Sequence, residues 1–179
     1  MDTLQVNGHP YTVTRLLGKG KGGYSYLAQG SEGPVVVKQI HHEPCSYYQF
    51  GDKLQSELRD YRTLSALGIA LPRPLAVDGA QERLVKQHIP GPTVLEQLQT
   101  GTLPPQAEEQ MRALCRLLYP AGLNIDYFPT NFILWGGVLY YVDYECNPYD
   151  AQWDFSHWGS RYWADTPELR AWLQEHGQN

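Results

Sequence analysis

The segment Ile89-Pro90-Gly91-Pro92, in the middle of the chain, is the sequence feature that most constrains the fold. Two prolines and a glycine within four residues interrupt any helix or strand. The sequence before this segment is rich in β-forming residues, whereas helical periodicity dominates after it. We therefore predict a strand-rich lobe over 1–89, a hinge over 90–93 and a mainly helical lobe over 94–179. A chain of 179 residues is long enough for two small lobes that share a cleft.

Five strands and one helix are predicted before the hinge. The strands combine β-branched and aromatic residues and are separated by glycine-containing turns. The helix has apolar residues at three- and four-residue intervals, and Gly68 follows as its C-terminal stop. This pattern is typical of an amphipathic helix packed on a sheet. The predicted strands span 11–17, 24–29, 35–40, 75–77 and 83–88, and the helix spans 50–67.

Two helices, a loop, two strands and a Trp-rich tail are predicted after the hinge. Pro105 marks the start of the longer helix, because proline fits the first helical turn. Gly136-Gly137 predicts a tight hairpin turn. The helices span 94–99 and 105–119, the loop 124–131, the strands 132–135 and 138–142, and the tail of one or two helices 151–176.

The composition narrows the location and the partners of the protein. A net charge of −5 and a pI near 5.6 argue against a nonspecific nucleic-acid binder, so no nucleic acid is expected as a partner. Three cysteines without a C-x-x-C pair indicate neither a disulfide framework nor a structural metal, which favours the cytoplasm. Because no segment approaches about 18 consecutive apolar residues, no membrane association is expected.

A glycine-rich run lies between the first two predicted strands. Gly18-Lys19-Gly20-Lys21-Gly22-Gly23 contains the pattern G-x-G-x-x-G, whose backbone N–H groups can approach anionic oxygens. A second register begins at Gly20, continues through Gly22 and has Ser25 in place of its third glycine, with Tyr24 at the tip. We favour this second register. The alternative is a flexible hairpin without a ligand.

A lysine and a glutamate are candidates for an ion pair. Lys38 ends the strand-like run Val35-Val36-Val37, and Glu57, 19 positions later, borders the apolar face of the predicted helix. A helix packed on the sheet would bring the two side chains together. Alternatively, Lys38 is a surface charge on an edge strand, and Glu43 or Asp60 is equally able to meet it.

Four polar residues follow in the second half. Asp126 and Asn131 lie five apart in the predicted loop, and Asp143 and Glu145 lie at the end of a predicted strand. A carboxylate can accept or orient a hydroxyl proton, while amide and carboxylate oxygens can hold Mg²⁺. The alternatives are a chance spacing in the loop and exposed acidic residues where the hairpin ends.

These motifs, in this order, resemble the protein-kinase-like superfamily. The glycine run resembles the lid over ATP, Val35-Val36-Val37-Lys38 the V-A-I-K strand, and Asp126 with Asn131 the catalytic loop. Asp143 with Glu145 resembles the D-x-E form of aminoglycoside phosphotransferases and choline kinases, and Asp154 their later aspartate. The short chain and the missing A-P-E sequence are closer to RIO kinases than to ordinary protein kinases.

The resemblance implies an α+β, two-lobed, protein-kinase-like fold with a five-stranded antiparallel N-lobe sheet plus one helix, and a reduced, mainly helical C-lobe. It implies binding of ATP and Mg²⁺ and transfer of a phosphoryl group to a protein Ser/Thr or to a small-molecule hydroxyl. Lys38 and Asp126 would be catalytic. The nucleotide would contact Gly18, Gly20, Gly22, Gly23, Lys38, Glu57 and His88, and the metal Asn131, Asp143 and Glu145.

Two departures from the family pattern leave a second function open. Asn124 stands where the family usually has His or Tyr supporting the catalytic loop, and Phe128 stands where many protein kinases have lysine. Both changes could slow transfer. The alternative is therefore a nucleotide-binding pseudokinase or protein-interaction module, in which the aromatic tail contacts a protein.

Overall fold

The computed structural model describes residues 2–43 and 52–177, and the chain divides into two compact units. The first unit comprises Met1–Arg59 and Pro72–His88, and the second comprises Asp60–Leu71 and Ile89–Asn179. The boundary after Arg59 falls within helix α1, Lys53–Ala66.

The first unit is built on a six-stranded antiparallel sheet. The alternation of the strands places Val37 and Val85 on one face, where they form a buried apolar cluster with Val6 and Ala28. The strands are β1 (Thr3–Val6), β2 (His9–Lys19), β3 (Gly23–Gly30), β4 (Gly33–Ile40), β5 (Pro74–Asp78) and β6 (Arg83–Gln87), and their order in the sheet is β1-β2-β3-β4-β6-β5.

The sheet curls until its two edge strands are tied together. The backbone N–H of Asn7 donates to Asp78 Oδ2 at 2.8 Å, and the Asn7 side-chain amide donates to the carbonyl of Val77 at 3.0 Å. The Arg83 guanidinium donates to the carbonyl of Gln5 at 2.7 Å. These bonds connect the β1 edge to β5 and β6, so the polar groups at this edge gain partners.

The second unit combines three complete helices and the C-terminal part of α1 with two small antiparallel sheets. The helices are α2 (Val94–Thr100), α3 (Pro105–Leu118) and α4 (Pro167–His176). Strand β7 (Leu123–Ile125) pairs with β10 (Cys146–Pro148), and β8 (Phe132–Trp135) pairs with β9 (Val138–Tyr141). Short 3₁₀-helices lie at Pro129–Asn131, Ala151–Trp153 and Gly159–Tyr162.

Several local predictions are confirmed. Gly136 and Gly137 have φ of 58° and 77°, the left-handed conformations that a two-residue hairpin turn requires. Pro105 begins α3. After α1, the N–H of Ile69 donates to Leu64 at 3.3 Å and that of Gly68 to Ser65 at 3.0 Å, the glycine-dependent termination expected at this position.

A series of buried aromatic rings forms the core of the second unit. Neighbouring ring centroids in the series Tyr127, Phe155, Trp163, Phe132 and Tyr141 lie 5.8, 5.6, 5.3 and 5.1 Å apart, mostly edge to face. Such contacts favour a single arrangement of the rings. Trp163 of the tail therefore belongs to the core, whereas Trp153 is 51% exposed.

The predicted fold is wrong in two respects. The sheet has six strands rather than five, because β1 was missed, and the second unit is not mainly helical, since it contains two additional sheets. The predicted tail of one or two helices is two 3₁₀-helices followed by α4. Within the described residues, no helix combines the length and apolar character needed to cross a membrane.

Candidate active site

The predicted ion pair between Lys38 and Glu57 is present in the first unit. Lys38 Nζ lies 2.7 Å from Glu57 Oε2, and the exposed fractions of the two side chains are 13% and 7%. Lys86, which is also buried, places its ammonium 3.6 Å from the other oxygen of the same carboxylate. The Glu57 carboxylate thus forms ion pairs with two lysines. The two rival partners for Lys38 are engaged elsewhere, since Glu43 pairs with Lys19 at 2.8 Å and Asp60 accepts from the N–H of Cys146 at 3.3 Å.

The register of β4 and β6 explains why two lysines meet one glutamate. Lys38 is paired with Leu84, and Val36 is paired with Lys86, so the lysines are diagonal neighbours on one face. That face is opposite to the one carrying Val37 and Val85. Helix α1 presents Glu57 to it. The sheet therefore has one apolar face and one face with a buried charge cluster.

The glycine-rich connection between β2 and β3 is held by hydrogen bonds to its carbonyl groups. The carbonyls of residues 20–23 accept, in order, from the His41 ring at 2.9 Å, Lys53 Nζ at 3.3 Å, the His41 N–H at 3.2 Å and the Gly20 N–H at 2.9 Å. Lys53 Nζ also donates to the carbonyl of His41 at 2.7 Å. The connection is thus fixed to the end of β4 and to the start of α1.

The His41 tautomer follows from these bonds. A carbonyl can only accept, so the ring nitrogen Nε2 that meets Gly20 must carry the proton. The other nitrogen, Nδ1, accepts from the N–H of Glu43 at 3.3 Å, which requires it to be unprotonated. A neutral His41 satisfies both contacts.

The glycines of the run lie in different structural surroundings. Gly18 lies within β2 and is paired with Ser25, whose other neighbour in the sheet is Lys38. A Cβ on Gly23 would lie 2.4 Å from the carbonyl oxygen of Gln39, so strand packing alone requires glycine there. A Cβ on Gly22 would meet nothing within 4 Å. Gly20 and Gly22 lie in the connection itself.

His88 follows β6 directly and is half-buried. Burial, together with the nearby Arg15 guanidinium, lowers the pKa of His88. Its imidazole is therefore neutral at pH 7 and can act as a donor or an acceptor.

Asp126 begins the predicted loop in the second unit, directly after β7. Its carboxylate accepts from the N–H of Phe128 at 3.1 Å, and its carbonyl accepts from the Asn131 side-chain amide at 3.3 Å. The amide nitrogen of Asn131 is used in this bond, so its oxygen is the atom that remains for a ligand. Asn131 ends a 3₁₀-helix that starts at Pro129.

Asn124 holds this loop in place through hydrogen bonds. It is buried, donates to the carbonyl of Asp150 at 2.9 Å and accepts from the Tyr127 hydroxyl at 3.2 Å. The carbonyl of Tyr127 in turn accepts from the Trp163 indole N–H at 2.7 Å. Asn124 thus connects the loop to the aromatic core through Tyr127.

Asp143 and Glu145 lie between β9 and β10 and are connected to the loop through Tyr141. The N–H of Val142 donates to the carbonyl of Asn131 at 2.9 Å. The Tyr141 hydroxyl accepts from the N–H of Asp126 at 3.3 Å and donates to the carbonyl of Glu145 at 3.0 Å. Burial, and then the carboxylates of Asp143, Asp126 and Glu145, raise the pKa of Tyr141 well above its ordinary value. The buried hydroxyl thus contacts the backbone of two segments that carry predicted carboxylates.

The oxygen donors of this group are of the chemical kind that Mg²⁺ binds in proteins. Mg²⁺ commonly takes one or two protein carboxylates and completes its coordination with phosphate oxygens and water. The carboxylates of Asp143 and Glu145 and the amide oxygen of Asn131 are of that kind. Among residues 2–43 and 52–177, no group of three or more His, Cys, Asp and Glu side chains is arranged to hold a metal by itself.

Asp154 forms its hydrogen bonds with residues outside the loop that contains Asp126. Its buried carboxylate accepts from the Tyr149 hydroxyl at 2.8 Å and from the N–H of His157 at 2.8 Å. The His157 ring lies 2.9 Å from the same carboxylate. These contacts fix the turn that precedes Gly159 and the aromatic core.

Sequence reasoning missed four residues that hold predicted groups in place within their own unit, namely His41, Lys53 and Lys86 in the first unit and Tyr141 in the second. Lys86 had a weak signal, since it directly follows the apolar pair Leu84-Val85 in a strand, and a lysine buried there needs a charged partner. Lys53 had none, because its acceptors are backbone carbonyls that any sequence provides. The role of Tyr141 depends on contacts with Asp126, which is 15 residues away.

The two units differ in charge. The first carries nine lysines and arginines against seven aspartates and glutamates, a formal net charge of +2. The second carries five against twelve, a formal net charge of −7. An excess of positive charge favours polyanions such as nucleotide phosphates, and an excess of negative charge favours cations.

Comparison with models of known protein families gives no match for this chain, and comparison with curated proteins finds no similar sequence. The function is therefore inferred from the residues and their arrangement within each unit.

Proposed function

We propose that the protein is an ATP- and Mg²⁺-dependent phosphotransferase that acts on a protein Ser/Thr or on a small-molecule hydroxyl. The observation that carries this proposal is the ion pair, at 2.7 Å, between the buried Glu57 and Lys38, whose side chain is 13% exposed. Kinases require such a lysine–glutamate pair to hold the α and β phosphates of ATP. The order of the motifs, which resembles the protein-kinase-like superfamily, adds to this support.

In the proposed reaction, each group of residues has a separate task. Lys38 and the glycine-rich connection would bind the phosphates. The formal net charge of +2 on the first unit favours such an anionic ligand. Asn131, Asp143 and Glu145 would hold Mg²⁺, which neutralises the charge of the transferred phosphoryl group when it is bound. Asp126 would orient the acceptor hydroxyl and receive its proton.

The proposal is tested with labelled ATP and Mg²⁺, by measuring hydrolysis or self-phosphorylation together with the nucleotide-induced thermal shift. We expect Asp126→Asn to lower turnover by about 100-fold or more, the size of a lost general base, and to keep the thermal shift. Lys38→Met should lose both. Asp165→Asn, an exposed carboxylate paired with Arg170, is the matched control and should behave like the wild type. Unchanged turnover in Asp126→Asn would remove that residue from the mechanism.

The second candidate is a nucleotide-binding module without transfer activity. It is favoured by a series of aromatic rings near the surface of the second unit, which includes the exposed Trp153 and continues through Trp158 and Tyr162 to Phe128, with ring centroids 5.3 to 6.2 Å apart. Exposed aromatics are common at protein interfaces. A thermal shift with Mg²⁺ and ATP, but without turnover, would favour this alternative.

For either function we propose a location in the cytoplasm, since the three cysteines of the sequence show no pairing pattern.

A further inference from the structure

The Tyr141 hydroxyl forms a bridge between two segments that carry predicted site residues. On one side it accepts from the backbone N–H of Asp126, and on the other it donates to the backbone carbonyl of Glu145. An amide N–H can only donate and a carbonyl can only accept, so the hydroxyl proton has one possible direction. The bridge therefore has a defined orientation.

The ring that carries this hydroxyl is fixed at several points. Tyr141 is fully buried, and its ring meets Phe132, its partner across β8 and β9, at 5.1 Å and nearly at a right angle. Its backbone N–H donates to the carbonyl of Ala70 at 3.0 Å. A buried and clamped side chain cannot shift to follow a moving loop, so the hydroxyl acts as a fixed reference point for both segments.

Two further hydrogen bonds in this region run from Val142 to Asn131 and from Asn131 to Asp126, and both use Asn131, a predicted metal ligand. Tyr141, in contrast, has no proposed contact with the nucleotide, the metal or the acceptor. Its hydroxyl can therefore be removed without changing a group that reacts.

Packing alone does not explain a tyrosine at this position. A phenylalanine would present the same ring to Phe132, and it would avoid placing a hydroxyl in a buried site near the carboxylates of Asp126, Asp143 and Glu145. Burial of a hydroxyl costs free energy unless both of its hydrogen bonds form. The two bonds to the backbone are the feature that the hydroxyl adds.

We propose that Tyr141 is a positioning residue, whose hydroxyl holds Asp126 in register with the Asp143–Glu145 segment. This inference rests on the proposed phosphotransferase function. A displacement of about 1 Å in a reacting group can lower a rate by about 100-fold, so the bridge affects the chemical step more than it affects nucleotide binding.

The kinetic test compares Tyr141→Phe with Tyr119→Phe. Tyr119 is the matched control, because its half-buried hydroxyl also accepts from one backbone N–H, that of Phe155, at 3.0 Å. We expect Tyr141→Phe to lower kcat about tenfold or more with KM for ATP within about twofold, and Tyr119→Phe to leave both constants within about twofold. Equal kcat values for the two variants would overturn the proposal.

Amide hydrogen exchange provides a readout that does not need activity. Tyr141→Phe should accelerate exchange at the Asp126 amide, and Tyr119→Phe should accelerate it at the Phe155 amide and leave Asp126 unchanged. Unchanged exchange at Asp126 in Tyr141→Phe would overturn the bridge itself. A wild-type protein that neither binds nor turns over ATP with Mg²⁺ would overturn the proposed function and the kinetic role of Tyr141 with it, and would leave the exchange result to decide whether the bridge holds the loop.

Discussion

The ammonium group of Lys38 lies 2.7 Å from a carboxylate oxygen of Glu57, in surroundings where both side chains are largely removed from water. The second oxygen of the carboxylate faces Lys86. Removal of one member of a buried ion pair costs more than the pair itself contributes, because the remaining charge loses its compensation. One glutamate here compensates two lysines.

We therefore expect Glu57→Gln to lower the free energy of unfolding by about 3 kcal/mol. Chemical denaturation by urea, followed by tryptophan fluorescence, measures this loss. The exposed Glu109, changed to Gln, is the control and should alter stability by less than about 0.5 kcal/mol. Equal stabilities of the two variants would mean that the Glu57 charge does not contribute.

Lys53 offers a second test, which concerns the glycine-rich connection. Its ammonium donates to the carbonyls of Lys21 and His41, and hydrogen bonds of charged groups contribute about 1.5–3 kcal/mol each. Because part of that is recovered by water, Lys53→Met should lower stability by about 2 kcal/mol. It should also accelerate amide exchange at residues 20–23. Exchange that stays as slow as in the wild type would show that the connection does not depend on Lys53.

Two neighbouring glycines should respond differently to alanine. At Gly23 the new Cβ would meet the Gln39 backbone at 2.4 Å, whereas at Gly22 it would meet nothing within 4 Å. Overpacking against backbone typically costs about 1–3 kcal/mol, so we expect such a loss for Gly23→Ala and less than about 0.5 kcal/mol for Gly22→Ala. Thermal unfolding of both variants measures the difference. A larger loss for Gly22→Ala would contradict the described strand register.

Asp78 should make stability depend on pH. The N–H of Asn7, followed by that of Gln81, lowers the pKa of the Asp78 carboxyl in the folded protein. A lowered folded pKa means that the stabilisation is present above the unfolded pKa of about 3.9 and is lost as the pH falls through the folded pKa. Asp78→Asn should thus be less stable than the wild type at pH 7, and the difference should shrink below about pH 4. Urea denaturation at several pH values measures it, and a difference that is constant with pH would contradict the assignment.

Local chemistry made part of the fold predictable. The α1 helix, the Pro105 start and the Gly136-Gly137 hairpin all depend on residues close together in sequence, so their patterns indicate them directly. Strand β1 also had a signal that was missed, because Asn7 and Gly8 adopt φ of 50° and 79° in a two-residue turn, for which Asn-Gly is the preferred pair.

Other features had no local signal. Strands β7 and β10 have three residues each and pair across a separation of about 20 positions, so no periodicity could reveal them. In the tail, a Cβ on Gly159 would lie 2.7 Å from Tyr127, so this glycine is required by packing against a residue that is distant in sequence. The ion pair of Lys38 and Glu57 was predictable, because motif order and residue chemistry coincide there. The contacts of Lys53 were not, because its partners are backbone carbonyls.

The hydrogen bond between Asn7 and Asp78 makes the few residues of β1 and its turn important for closing the edge of the sheet. A version of the protein shortened to begin at Pro10 would lose β1 and, with it, the hydrogen bonds of Asn7 to Asp78 and Val77 of β5. The edge of β2 would then expose unpaired N–H and C=O groups. Such groups can pair with a strand of another molecule and so cause self-association. A few residues at this end therefore protect solubility as well as shape.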